Sequence, residues 1–203
     1  MPSITDLPCE IVGSILGSLD HLRFLPPALL ACRHFSTSFK ESHGVEASIL
    51  RHQITPALLP YAVAVTEASR LPRPLVASAV FGLLDELYRS PARLGARVSA
   101  LPLPILRSMG RTHDVIQAFA TGFATSAWQR ISPSTTAAVL LLPNEYFRFC
   151  RAFYRVELFF ILFRDPGFED NLNPWFLRRH HPWENEQLGS AYEYLEERFA
   201  QGE

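Results

Sequence analysis

A chain of 203 residues, 48% hydrophobic and 19% charged, holds enough apolar material for the core of one large or two small domains, which excludes wholesale disorder. Its formal net charge of -1 excludes a long-range field that would gather polyanions or an anionic bilayer, so neither nucleic acid nor membrane is an expected partner. Cys9, Cys32 and Cys150 are odd in number and show no C-x-x-C spacing, which excludes a disulfide framework or zinc ribbon and fits a reducing compartment, cytoplasmic or nuclear.

Apolar residues recur at helical spacing nearly throughout, and no run alternates strictly, so the expected fold is all-α. The opening MPSITDLPCE carries Asp6 and Glu10 and no basic stretch, unlike a signal peptide. Residues 7–19 place Leu7, Ile11, Ile15 and Leu19 on one helical row and Pro8, Val12 and Leu16 on the next. This broad apolar face stands against Cys9, Glu10, Gly13, Ser14, Gly17 and Ser18, with Thr5 or Asp6 available as cap. A second helix is predicted from Pro27, with Leu29, Leu30, Cys32 and Phe35 on its apolar side, and a short third over 36–41. After a boundary at residues 41–44 the pattern predicts helices near 45–55, 57–69 and 74–89, punctuated by Pro56, Pro60, Pro72, Pro74 and Pro91. A longer helix follows over 104–128, with Ile105, Met109, Ile116, Phe119 and Phe123 on one side, and residues 130–143 are expected to hold a loop.

The stretch 144–164 would reach about 31 Å as a helix, long enough to span a bilayer. Glu145, Arg148, Arg151, Arg155 and Glu157 fall inside it, and uncompensated charges at that depth exclude a span. The last helix opens at Pro182, with Glu184 and Glu186 favouring the positive end of its dipole and Leu188, Tyr192, Leu195 and Phe199 forming the expected apolar row.

Three helices in about 40 residues cannot offset their own ordering entropy, so the N-terminal face must pack on something. Gly13 and Gly17 weaken its first helix further, by roughly 1 kcal/mol each relative to alanine. The segment resembles an F-box, whose pattern L-P-x-E-I/L, then I-L-x-x-L, then C-R-x-F is matched by Leu7-Pro8, Glu10-Ile11, Ile15-Leu16, Leu19 and Cys32-Arg33-His34-Phe35. The remainder is similar to a fungal family of F-box-like proteins. The matching residues there are Leu142-Pro143-Asn144-Glu145, Arg148, Arg151-Ala152, Tyr154-Arg155 and Glu157-Leu158. Pro182-Trp183-Glu184, Glu186-Gln187-Leu188 and Tyr194-Leu195-Glu196-Glu197-Arg198 continue the match. Leu142 stands where that pattern has a serine cap.

The resemblance implies an F-box-like module over 4–42 and a helical body over 45–201. It further implies that the module binds the Skp-type adaptor of a cullin-RING ubiquitin ligase, while the body recruits an unknown protein client. Leu7 and Pro8 would lie in the loop gripped by the adaptor, and Ile11, Ile15, Leu16 and Leu19 would line the interface and the module's small core. The residues alone leave open an interaction or structural protein with no ubiquitin role, whose N-terminal helices pack on its own body.

Arg148, Arg151 and Arg155 fall within about 60° on a helical wheel and form a basic stripe. As a core feature the stripe would pair with acids, candidates being Asp85, Glu86, Asp114, Glu169 and Asp170; exposed, it would suit an acidic or phosphorylated client peptide. His180-His181 with Glu184 lacks the spacing of a zinc motif, so no metal or other cofactor is expected. Thr112-His113-Asp114 lacks a nucleophile elbow, and adjacent helical residues diverge, so no catalytic residue is assigned and no enzyme is expected.

Overall fold

A computed structural model describes residues 4–132, 139–163 and 176–202. Those residues form an all-α fold with no strand among them. Ten helices are named in chain order: α1 Cys9–Gly17, α2 Leu25–Ala31, α3 Arg33–Glu41, α4 Val45–Gln53, α5 Leu59–Ser69, α6 Ala77–Arg89, α7 Pro91–Ala96, α8 Leu103–Ile131, α9 Pro143–Phe163 and α10 Pro182–Ala200. No described helix is long and apolar enough to cross a membrane.

Proline chemistry sets several boundaries differently from the periodicity. α1 starts two residues later than expected because Pro8 holds the cap position and has no side-chain acceptor; Thr5 and Asp6 sit in a separate short turn, Ile4–Asp6. α2 begins at Leu25, so both Pro26 and Pro27 lie in a first turn where N–H groups have no intrahelical partner. It ends at Cys32, whose extended backbone separates it from α3, and Phe35 therefore belongs to the third helix. Pro91 opens a further short helix, α7, that the spacing did not predict. Gly44 turns the chain from α3 into α4 at φ 78°, a conformation that a Cβ disfavours. Of the expected loop, residues 133–138 lie outside the described residues, and 139–142 are not helical.

α9 is the centre of the body. α5, α8 and α10 all pack on it, and its buried residues run from Cys150 through Phe153, Tyr154, Arg155 and Leu158 to Leu162, which places apolar surface on most sides of the rod. Phe119 meets Phe153 and Phe123 meets Phe149, so α8 and α9 run antiparallel. Leu142 leaves the start of α9 without a side-chain cap, but Glu145 Oε2 accepts the Leu142 N–H at 2.9 Å and supplies half of a capping box. On α10 the buried row is Leu188, Ala191 and Tyr194, whereas Tyr192 and Phe199, expected in the core, are exposed. Leu188 and Leu195 of the predicted row do face the core, Leu195 half-buried.

Buried side chains on both sides of Gly44 belong to one continuous core: Val12, Leu16, Leu22 and Leu25 from the N-terminal helices join Ile49, Leu50 and the body. A polar contact reinforces this junction. His21 Nε2 meets Asp114 Oδ1 at 2.8 Å, while Gln53 Nε2 donates to Asp114 Oδ1 at 2.9 Å and to the Gly110 carbonyl at 3.2 Å.

Candidate functional site

α1 divides the residues singled out in the sequence between two faces. Val12 and Leu16 point inward, Leu16 being 2% exposed, and Gly13 and Gly17 are buried beside them. A Cβ on Gly13 would lie 2.8 Å from Ser42 Cβ, and one on Gly17 would lie 3.4 Å from Ser48 Cβ. The glycines, read from the sequence as part of the polar side, lie against Ser42, which caps the end of α3, and Ser48 of α4. The row they displace turns outward, leaving Ile11 48% and Ile15 41% exposed, with Pro8 and Ile4 also at the surface. Leu7 and Leu19 are half-buried. The Leu7 carbonyl accepts from His34 Nε2 at 3.0 Å, so the Leu7-Pro8 loop is fastened to the Cys32–Phe35 segment. Two glycines four residues apart in a helix were the available signal for the packed face.

The arginine stripe on α9 also divides. Arg148 is exposed. Arg151 pairs with Glu184 at 2.8 Å and donates to Gln187 Oε1 at 3.2 Å. Arg155, 1% exposed, donates to the Glu184 carbonyl at 3.1 Å and approaches Asn185 Oδ1 at 3.5 Å. The acid that holds this stripe is therefore Glu184 of α10, which the sequence assigned to the helix dipole. Glu184 serves both ends, since its Oε2 also caps the His181 N–H at 3.3 Å. Of the acids named as candidates, Asp85 pairs with Arg179, Glu86 with Arg97, and Asp114 with His21; Glu169 and Asp170 lie outside the described residues. The Nε atoms of Arg151 and Arg155 have no hydrogen-bond partner among the described residues. Burial holds the Arg155 pKa below its ordinary value, while Tyr88 and Glu184 act in the opposite direction. His180 is packed beside this cluster, accepting from or donating to Tyr88 at 3.1 Å; burial, then Arg155, pushes its pKa down to about 4.

His113 and Asp114 diverge as adjacent helical residues must. Asp114 turns to His21, while His113 is fully buried between two phenols, Nδ1 2.9 Å from Tyr154 and Nε2 3.3 Å from Tyr146. Burial lowers the His113 pKa to about 4 and raises the neighbouring Cys150 thiol to about 11. At neutral pH this gives an uncharged imidazole and a protonated thiol, the protonation states of a packed core. His181 stacks on Trp183 at the start of α10, and among the described residues no three His, Cys, Asp or Glu side chains are grouped to hold a metal ion.

Compared with known protein families, curated proteins and solved structures, the chain matches none of them.

Proposed function

We propose that the chain is an F-box-like substrate receptor, docking a Skp-type adaptor of a cullin-RING ligase through α1 and its preceding loop and positioning a protein client on the helical body. It performs no chemistry of its own and acts by proximity. The observation that carries this reading is the outward row Pro8, Ile11 and Ile15. These are apolar residues of the F-box-like pattern that the described helices leave exposed, Ile11 and Ile15 by about half, although an inward row already anchors the same helix. An uncovered apolar row on an anchored helix is a surface suited to a partner. The rival reading is an interaction or structural protein outside ubiquitin transfer. It draws on the opposite face, where Leu16, Gly13 and Gly17 pack on α3 and α4.

A pull-down of the full chain with purified Skp-type adaptor distinguishes the two. The wild type is expected to retain the adaptor, and Ile11→Asp with Ile15→Asp is expected to lose it. Absence of wild-type capture removes the receptor reading and leaves the rival.

A further inference from the structure

A receptor needs a place to hold its client, and with Arg151 and Arg155 engaged by α10 the stripe on α9 offers only Arg148. The opposite side of the same helix is different. Phe153, Val156, Glu157 and Phe160 lie roughly 150° around the wheel from the arginines, at 100° per residue. They form one wall of a cleft of about 440 Å³, whose other wall is α8 from Ser108 to Phe119 and which Leu195 and Phe199 of α10 also line.

The cleft has a dry floor and an exposed apolar rim. Ile116, Phe153 and Val156 are buried at its base, while Val115 is 53% and Phe199 68% exposed above them. Its walls repeat at i, i+3, i+4 and i+7 on both α8 and α9, which are the ridges against which another helix packs. The α8 wall runs about 16 Å, or three turns, at 1.5 Å per residue. Two opposite charges stand on it. Glu157 projects from the α9 wall and Arg111 from the α8 wall, and neither forms an ion pair with a described residue. The stacking of Phe119 on Phe153 fixes the antiparallel register, so these charges are displaced along the cleft by about one turn. Glu157 is exposed at the rim, and its carboxyl pKa is raised by partial desolvation against the apolar floor.

We propose that the cleft between α8, α9 and the end of α10 receives an amphipathic helix of the client, apolar residues one turn apart filling the floor, a lysine or arginine meeting Glu157 and an acid meeting Arg111. This names the client class within the receptor reading and rests on it. Helix-in-groove recognition uses this combination of apolar anchors and flanking charge, and the two unpaired charges set both direction and register.

The test uses the full chain and three labelled helical peptides that share leucines at i, i+4 and i+7. One carries a lysine and a glutamate one turn apart, one carries two lysines and one carries two glutamates; binding is read by fluorescence anisotropy. The mixed peptide is expected to bind the wild type tightest. Glu157→Lys should shift preference to the glutamate peptide and Arg111→Glu to the lysine peptide, each by about threefold or more, the scale of an exposed ion pair made or reversed. Phe199→Ser should weaken all three. An unchanged ranking in the charge variants, or no binding by any peptide, overturns the proposal; so does dodecanoate displacing nothing but binding the cleft by itself, which would assign it to a small lipophile. Adaptor capture is measured on the same variants, because they lie on helices other than α1. If capture persists while peptide binding fails, the cleft assignment falls alone; if wild-type capture fails, the receptor reading falls first.

Discussion

α1 and α9 are both helices rich in large apolar residues, yet the first exposes two isoleucines while the second buries an arginine. The difference lies in their neighbours. α1 is covered on one side, by α3 and α4, so its second apolar row remains at the surface. α9 is covered by three helices, and a charge on its covered side, such as Arg155, must find its partner inside. Apolar density tells how much surface a helix can bury; the number of helices around it decides how much is buried, and what is left over on α1 is available to another molecule.

The comparison breaks most severely at Glu184. Glu184→Gln would leave Arg151 without its carboxylate and the Arg155 cluster with an uncompensated positive charge, so unfolding free energy should fall by about 3 kcal/mol or more in denaturant melts. The matched change Arg148→Ala, at the exposed end of the same stripe, should alter it by no more than about 0.5 kcal/mol. Equal effects would mean that the stripe is not divided between core and surface.

Acid sharpens the same contrast. His113 and His180 have folded pKa values pushed by burial from 6.5 to about 4, so between those values the unfolded chain binds more protons than the folded one and stability rises with pH. Stability is therefore complete above about pH 6.5 and is lost progressively down to about pH 4, by up to about 3 kcal/mol per histidine, with no further contribution from these two below that. A His113→Gln chain should show a shallower acid limb than the wild type in melts taken across that window, and a limb of unchanged slope would contradict the assignment of His113 as a buried neutral base.

How much of this was legible in the sequence follows from the same contrast. The helices, the central place of 144–164 and the absence of strands came from periodicity, because a 3.6-residue repeat reports directly on which residues share a side. The boundaries did not, because Pro8, Pro26 and Pro91 act through a missing N–H and a fixed φ rather than through hydrophobicity. The stripe Arg148–Arg151–Arg155 was visible as a stripe, but its partner was not: Glu184 lies 29 residues beyond Arg155, and a single sequence carries no sign of which acid folds back onto it. On α10 the expected row holds at Leu188 and Leu195 and fails at Tyr192 and Phe199, for a related reason. Tyr192 and Phe199 are as apolar as Ala191 and Tyr194, so composition could not rank the two rows. On α1 hydrophobicity found Val12 and Leu16 of the packed face but not the glycines beside them, since close approach there depends on the side chains that Gly13 and Gly17 lack.

That absence is testable by restoring it. Gly13→Ala places a methyl group 2.8 Å from Ser42 Cβ, inside contact distance, and α1 must retreat from α3 to accept it. Alanine's better helix propensity favours the variant by at most about 1 kcal/mol, and overpacking opposes it by about 1 to 3 kcal/mol, so a net loss in thermal melts is expected. A gain in stability would show that the α1–α3 contact yields easily.

The outward row should respond in the opposite way. Ile11→Asp and Ile15→Asp add a charge where water already reaches, on side chains 48% and 41% exposed, so melts should move by only about 1 kcal/mol each even as adaptor capture is lost. Such a separation of stability from binding is what distinguishes a partner surface from core. If the two aspartates instead unfold the chain to the extent that Gly13→Ala does, then both faces of α1 are structural, the helix behaves like α9, and the rival reading, in which the N-terminal helices serve only the chain's own body, takes over.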